Sequence, residues 1–380
     1  MAKPPIVLVG TKAQFIKTAP ILWNLDRAGI EYRLVYTGQH SETFSELERA
    51  FGLRSADVNL VPSNEADSAR GLLVWLMKVC AALLQRGGAA QWRGASWGMV
   101  HGDTLSALVG ALALRLIGVP VVHVEAGLRS PKLWSPFPEE IVRRLVSRLA
   151  SLHCCPDQTA ASNIRRGADV IVTSGNTIRD ALEMALLAQP EQVAFGGGGS
   201  YAVVSMHRAE TLTNRFAFDF AMEQIASVAK MIRVRFVLHP ATRRCLEKTE
   251  WGKRLRACPE IELLERVDYP TFVGWLLNAR FLLTDGGSNQ EEAALLGLPT
   301  LLLRKETERA DGIESGIVAI SAMDPERIQN FVERHRLGSW PIRVLPKSSP
   351  ARQIVDELID RFGKDSPDYD TPPEERVRRS

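Results

Sequence analysis

Acidic side chains and histidines gather in short polar turns that directly follow apolar runs. In the first half these turns are Gly10-Thr11-Lys12, Thr37-Gly38-Gln39-His40, His101-Gly102-Asp103-Thr104 and His123-Val124-Glu125-Ala126-Gly127-Leu128-Arg129. In the second half they are His207-Arg208, His239-Pro240 and Thr284-Asp285-Gly286-Gly287-Ser288. Carboxylates placed this way suit proton transfer, and the cationic groups among them suit a departing anion. Each turn also has a structural explanation. Asp103 or Thr104 can cap a following helix, and Glu139-Glu140 after Pro138 suits the first turn of one. His101 with Asp103 and His123 with Glu125 share the spacing of two metal ligands on one strand face, but no third ligand at a fixed spacing accompanies them, so no metal is expected.

The second-half turn carries a further signal. Thr284-Asp285-Gly286-Gly287-Ser288-Asn289-Gln290-Glu291-Glu292 passes through small residues into a helical pattern, so the free amides of the first turn can receive a diphosphate. Glu292 lies far enough into that helix to receive the hydroxyls of a ribose. No G-x-G-x-x-G follows the first apolar run, where Gly10 is followed by Lys12 and Gln14, and a nicotinamide cofactor is therefore not expected.

These turns need elements that bring them to one edge. Ile6 to Val9, Tyr32 to Tyr36, Gly98 to His101 and Val119 to Val124 read as buried parallel strands, alternating with amphipathic helices over 13–27, 42–51, 69–85 and 104–116. After a helix near 177–187 and a loop containing Gly196 to Gly199, strands return at 201–205, 235–238, 261–264, 281–284 and 299–303. This alternation predicts two doubly wound, Rossmann-like α/β halves, with a boundary between about 170 and 195. Ligands of such sheets bind where strands end, and that is where the polar turns fall. The charged, proline-containing tail is expected to be disordered.

Composition narrows the function classes. A chain of 380 residues with 45% hydrophobic and 24% charged side chains is long enough for two cores. A net charge of +3 with no basic block gives no reason to expect nucleic acid. No apolar stretch spans a bilayer and no secretory leader is recognisable, so a cytoplasmic protein without a membrane role is expected. The five cysteines show no C-x-x-C spacing and read as reduced structural thiols.

The turns, taken together with Lys17, Pro138-Glu139-Glu140, Gly175-Asn176-Thr177, His207-Arg208-Ala209-Glu210, Gln290-Glu291-Glu292 and Thr307-Glu308-Arg309, resemble the bacterial non-hydrolysing UDP-N-acetylglucosamine 2-epimerases in the same order along the chain. The resemblance implies the glycosyltransferase-B architecture, with a cleft that closes on the nucleotide. It implies an N-terminal domain over 1–172, a UDP-binding domain over 173–352, a helix over 353–365 crossing back to the first domain, and a tail over 366–380. It further implies a homodimer without a cofactor that interconverts UDP-N-acetylglucosamine and UDP-N-acetylmannosamine by eliminating UDP to a glycal and adding it back.

By position, Asp103, Glu125, Glu139 and His207 match the family's catalytic residues. Asp103 and Glu125 are expected to exchange the C2 proton, with Glu139 positioning the sugar or assisting. Lys12, Lys17, Gln39, His40, Arg129, Arg143, His239, Phe272, Gly286, Gly287, Ser288, Glu292 and Arg309 are expected at the substrate, Glu292 on the ribose and Phe272 against the uracil. Several positions depart from the family pattern. Lys12-Ala13-Gln14 replaces Arg-Pro-Glu, Gly286-Gly287-Ser288-Asn289 replaces Ser-Gly-Gly-Ile, Val142 precedes Arg143 in place of Asn, and Ala241-Thr242 follows His239-Pro240. Glu42 stands where the activator-binding members carry a neutral polar residue, and no matching arginine is found. The alternatives on this scaffold are a hydrolysing 2-epimerase and a glycosyltransferase; a non-catalytic nucleotide-sugar sensor is the alternative of another class.

Overall fold

The computed structural model describes residues 3–38, 44–61, 69–85, 88–130, 138–189, 200–307 and 309–363. Gln39, His40, Glu42, Glu308, the four-glycine loop and the tail lie outside them.

The chain divides into two units, residues 1–181 with 347–380, and residues 182–346. The first unit contains β1 (Ile6–Val9), α1 (Lys12–Arg27), β2 (Arg33–Tyr36), α2 (Phe44–Phe51), β3 (Val58–Asn59), α3 (Ala69–Leu84), β4 (Gly98–His101), α4 (Leu105–Leu116), β5 (Val121–Val124), α5 (Glu139–Leu149), β6 (Leu152–Cys155), α6 (Gln158–Ser162) and β7 (Asp169–Val172). Helix α7 (Ile178–Leu187) carries the chain out. The second unit contains β8 (Tyr201–Met206), α8 (Ala209–Thr213), α9 (Arg215–Ala229), β9 (Arg233–Leu238), α10 (Pro240–Glu247), α11 (Glu250–Arg256), β10 (Ile261–Leu264), α12 (Tyr269–Asn278), β11 (Leu282–Thr284), α13 (Gly287–Leu296), β12 (Thr300–Leu302), β13 (Val318–Ile320) and α14 (Pro325–His335). Helix α15 (Pro350–Phe362) returns to the first unit and packs on α1.

Both sheets are parallel throughout. The first runs β3-β2-β1-β4-β5-β6-β7 and the second β10-β9-β8-β11-β12-β13. Strands covered by helices on both faces must be apolar along their length, and β1, β4, β5 and β6 are buried at every residue. Strand order reverses between β1 and β4 in the first sheet and between β8 and β11 in the second, which opens a crevice at the carboxyl end of each pair. Gly10 shows how tightly that edge closes in the first unit. A Cβ there would lie 1.9 Å from the Ser106 hydroxyl and 2.5 Å from that of Thr37.

The two units meet at 181/182 and 346/347. Helix α7 begins in the first unit because the Asp180 carboxylate accepts the Ala351 amide at 2.8 Å, which holds the outgoing and returning segments together. All of α15 lies in the first unit, its face of Ile354, Val355, Leu358 and Ile359 buried. Strands β3, β6, β7 and β13 were not expected from the sequence. Strand β6 reads Leu-His-Cys-Cys and has no β-branched apolar run, while the run in β7 is only Val170-Ile171-Val172, too short to stand out.

Candidate active site

In the first unit the β1 and β4 turns are joined by Gln14. Its Oε1 accepts the amides of Gly10 (2.9 Å) and Thr11 (3.2 Å), while Thr11 caps α1 through the Gln14 amide, which is a capping box. Its Nε2 donates to the His101 carbonyl (2.6 Å) and the Thr104 hydroxyl (2.7 Å). A glutamate could accept the same two amides but could not donate to that carbonyl, which explains why the glutamine is well housed here. Lys12 opens α1 beside this junction.

Glu125 follows β5 with φ 60°, a left-handed conformation that costs a non-glycine residue roughly 1–2 kcal/mol. Neighbouring groups fix its carboxylate. Oε1 accepts Lys17 Nζ at 2.8 Å and Asn176 Nδ2 at 2.7 Å, and His101 Nε2 stands 3.5 Å from Oε2. Lys17 is itself buried, so an ion pair rather than bulk water compensates both charges. His101 Nδ1 lies 3.0 Å from the Thr18 hydroxyl, and His123 Nε2 donates to the Gly102 carbonyl at 2.9 Å. Burial lowers the pKa of His101 and lowers that of His123 to about 3. Both rings are therefore neutral at pH 7. Among the described residues no group of three or more His, Cys, Asp or Glu side chains is arranged to hold a metal.

Asp103 extends from the neighbouring strand end, since His101 and Val124 are register partners across β4 and β5. Arg143 grips its Oδ2 with Nε at 2.8 Å and with a terminal nitrogen at 2.7 Å. Thr104, not Asp103, caps α4, so the aspartate is not spent on the helix. The two α5 glutamates separate in role. Glu140 is fully buried and accepts the Ser130 amide and Arg144, whereas Glu139 stands half-buried at the first helical position. Arg129 donates to the Leu128 carbonyl (2.8 Å) and the Ser147 hydroxyl (3.3 Å), which anchors it to α5.

In the second unit the two turns at the strand-order reversal are tied by Asp285. This buried carboxylate accepts the amides of His207 (2.9 Å) and Arg208 (3.2 Å), and so fixes the end of β8 against the end of β11. Helix α13 starts at Gly287 with Gly286 as its N-cap, and no side chain caps it. A Cβ on Gly286 would lie 2.6 Å from His207 Cε1, and one on Gly287 3.0 Å from Arg309 Nε, so the two glycines let the His207 ring and the Arg309 guanidinium approach the helix start. The His207 ring stacks on His239 at 4.5 Å, and the Ser205 hydroxyl lies 3.4 Å from His239 Nε2.

Arg309 pairs with Glu291 at 2.9 Å, and Asn289 donates to Glu292 at 3.0 Å. Tyr269 is fully buried, and burial together with Glu292 raises its hydroxyl pKa. Phe272 lies one turn further along the same helix and is half-buried. Ser288 is in the first turn of α13 beside the glycines.

Within the first unit, then, the structure brings together Lys17 with Glu125 and Arg143 with Asp103; within the second it brings together His207, His239, Gly286, Gly287 and Arg309. Sequence reasoning did not single out Gln14, Asn176, Asp285 or Gln290 as anchors. Gln290 is buried, donates to the carbonyls of Arg309 and Asp311 and accepts the Thr307 hydroxyl, so it holds the Arg309 loop to α13. No local signal marked Gln290, because it stands among the polar residues Ser288, Asn289, Glu291 and Glu292 and its burial comes only from the packing of the fold.

Known proteins match this chain along most of its length. The family model described as UDP-N-acetylglucosamine 2-epimerase matches residues 24–339. The UDP-N-acetylglucosamine 2-epimerase of Bacillus subtilis is 30% identical over 387 residues, covering 96% of this chain and 97% of the relative. The crystal structure of the Methanocaldococcus jannaschii UDP-GlcNAc 2-epimerase in complex with UDP-GlcNAc and UDP is similar with a TM-score of 0.79 at 26% identity, over 94% of this chain and all of that one. The Neisseria meningitidis UDP-GlcNAc 2-epimerase bound to UDP-GlcNAc gives a TM-score of 0.78 at 25% identity, over 94% of this chain and 100% of that one. The paired parallel-sheet units are those of a fold related to glycosyltransferase-B enzymes. With its strand-end carboxylates, its glycine-led helix start and these relatives, the chain belongs to the UDP-N-acetylglucosamine 2-epimerase family.

Proposed function

We propose that this enzyme inverts C2 of a UDP-N-acetylhexosamine, interconverting UDP-N-acetylglucosamine and UDP-N-acetylmannosamine. The observation that carries the proposal is the pair of carboxylates at neighbouring strand ends, Asp103 held by Arg143 and Glu125 held by Lys17. Proton exchange at one carbon with inversion requires two such groups, one for each face. The relative solved with both UDP-GlcNAc and UDP supports the substrate class.

In this scheme one carboxylate takes the C2 proton as the C1–O bond breaks and UDP leaves with the bonding electrons. The glycal that remains has a C1–C2 double bond. The other carboxylate delivers a proton to the opposite face of C2 as the diphosphate oxygen re-forms its bond to C1. Glu139 positions the sugar. His207, Lys12 and Arg309 offset the charge that develops on the diphosphate, with the amides of the α13 first turn at Gly287 and Ser288. Glu292 receives the ribose and Phe272 lies against the uracil. No cofactor enters the scheme. With all five cysteines free, we assign the enzyme to the reducing cytoplasm, and its exposed α3 and α4 side chains to a homodimer contact.

The test is incubation with UDP-N-acetylglucosamine in deuterium oxide. Deuterium at C2 of the recovered nucleotide-sugars, with UDP-N-acetylmannosamine accumulating, is the expected result. Free UDP released from the start without the second nucleotide-sugar would sink the proposal in favour of hydrolysis.

A further inference from the structure

We infer that Asn176 is a positioning residue for Glu125, orienting the carboxylate so that a single oxygen, Oε2, exchanges the C2 proton. The inference rests on the epimerase reading above. Asn176 lies in the loop between β7 and α7 and uses the two ends of its amide for different tasks. Its Oδ1 accepts the Ile178 amide at 3.3 Å and lies 3.5 Å from the Thr177 hydroxyl, which caps the start of α7. Its Nδ2 donates to Glu125 Oε1 at 2.7 Å. Turning the amide over would set oxygen against a carboxylate oxygen and NH2 against a backbone N–H, so the cap fixes which end faces Glu125.

The loop that carries Asn176 is held from several directions. Thr173 donates to the carbonyls of Cys155 (3.1 Å) and Gly175 (2.8 Å), and the amide and hydroxyl of Ser174 donate to Gln353 Oε1 on α15 at 2.8 and 3.0 Å. Gly175 has φ 137°, a backbone conformation that L side chains rarely adopt. Asn176 is thus a rigid donor rather than a surface amide. With Lys17 and Asn176 both on Oε1, the plane of the Glu125 carboxylate is set, and Oε2 is directed beside Gly102 and 3.5 Å from His101 Nε2. The charged and titratable groups around this carboxylate are Lys17 from α1, His101 from β4, Asp103 from the turn after it and His123 from β5.

Two variants separate positioning from capping. Asn176→Asp and Asn176→Ser both keep an oxygen for the α7 cap, and both lose the donor to Glu125. The measurements are the melting temperature, UDP affinity by calorimetry, and kcat and KM for the nucleotide-sugar across pH, with wild type in parallel. Positioning predicts for Asn176→Ser a melting temperature and UDP affinity close to wild type, an unchanged KM and a kcat lower by roughly 10-fold, and for Asn176→Asp a folded protein of somewhat lower melting temperature with a kcat lower by on the order of 10²-fold. It also predicts that the acid limb of the Asn176→Asp profile moves to higher pH, because a second carboxylate beside Glu125 disfavours its ionised form. A kcat within about twofold of wild type in both variants overturns the inference and leaves Asn176 as a helix cap alone. So does a loss of activity that merely follows a loss of folded protein. A wild type that binds UDP but leaves the nucleotide-sugar unchanged sinks the functional reading itself, a result distinct from either.

Discussion

Arg143 holds a single oxygen of Asp103 with two of its nitrogens, Nε at 2.8 Å and a terminal nitrogen at 2.7 Å. The same guanidinium reaches Glu140 with its other terminal nitrogen at 3.6 Å, so it is fixed to α5 as well as to the β4 turn. A lysine would keep the charge and lose the planar fork. Arg143→Lys is therefore expected to lower kcat by roughly 10- to 100-fold with the fold intact, because Asp103 is then free to rotate out of line. Steady-state kinetics beside a thermal melt decide it. Full activity in the lysine variant would mean that charge alone is needed at this position.

Asp285 gives a prediction about stability. Its carboxylate is buried and accepts two backbone amides, those of His207 and Arg208. In Asp285→Asn one of those amides faces an NH2 group, leaving a buried donor without an acceptor at a cost of about 1–3 kcal/mol. The denaturant midpoint for unfolding of the second unit is expected to fall without a change in slope. Nucleotide affinity should fall with it, because the His207 backbone loses its tether. An unchanged midpoint would show that the two amides find other acceptors.

Where the sequence was legible and where it was not follows from local physics. The β1, β4 and β5 turns could be placed because buried parallel strands leave an unmistakable apolar run, and the turn after each run is where polar side chains collect. The α13 turn was legible for the same reason. The partners of these side chains were not. That Lys17 reaches Glu125, or Arg143 reaches Asp103, depends on α1 and α5 packing beside β4 and β5, and no local pattern encodes that contact. The edge strand β7 was missed because Asp169 and Val172 are exposed and the run is short. That Asp180 ties α7 to α15 was not legible either, because in the sequence it is only an acidic residue in a helical turn.

The homodimer proposed above would use exposed apolar side chains of the first unit. Helix α3 buries Trp75, Val79 and Leu83 in the core, yet Leu73, Met77 and Leu84 on its other side are exposed, Leu84 by 83%. On α4, Leu116 is exposed by 72%. Exposed apolar side chains on a helix that already buries its other side are what a subunit contact would cover. Wild type is expected to sediment as a dimer, and Met77→Glu combined with Leu116→Glu as a folded monomer. A monomeric wild type at micromolar concentration would remove the homodimer from the proposal.

The two strand-borne histidines set a pH dependence of stability. His101 and His123 are buried between β strands and helices, and desolvation lowers both pKa values, that of His123 from 6.5 to about 3. In the unfolded chain both rings titrate near 6.5. Above that value neither state binds the proton, and the stabilisation is complete. As pH falls from 6.5 toward 3, the unfolded state gains a proton at His123 that the folded state refuses, so stability drops by about 1.4 kcal/mol per pH unit for that ring. Between pH 7 and 5 the loss from His123 alone is roughly 2 kcal/mol. His207 also has a lowered pKa, but 39% of its side chain is exposed, so solvent screens it and we assign it no part in this slope. The decisive comparison is the slope of unfolding free energy against pH in wild type and in His123→Asn, whatever the absolute stability of the variant. The variant is expected to have the shallower slope over pH 5 to 7, and an equal slope would show that His123 already takes up its proton in the folded protein.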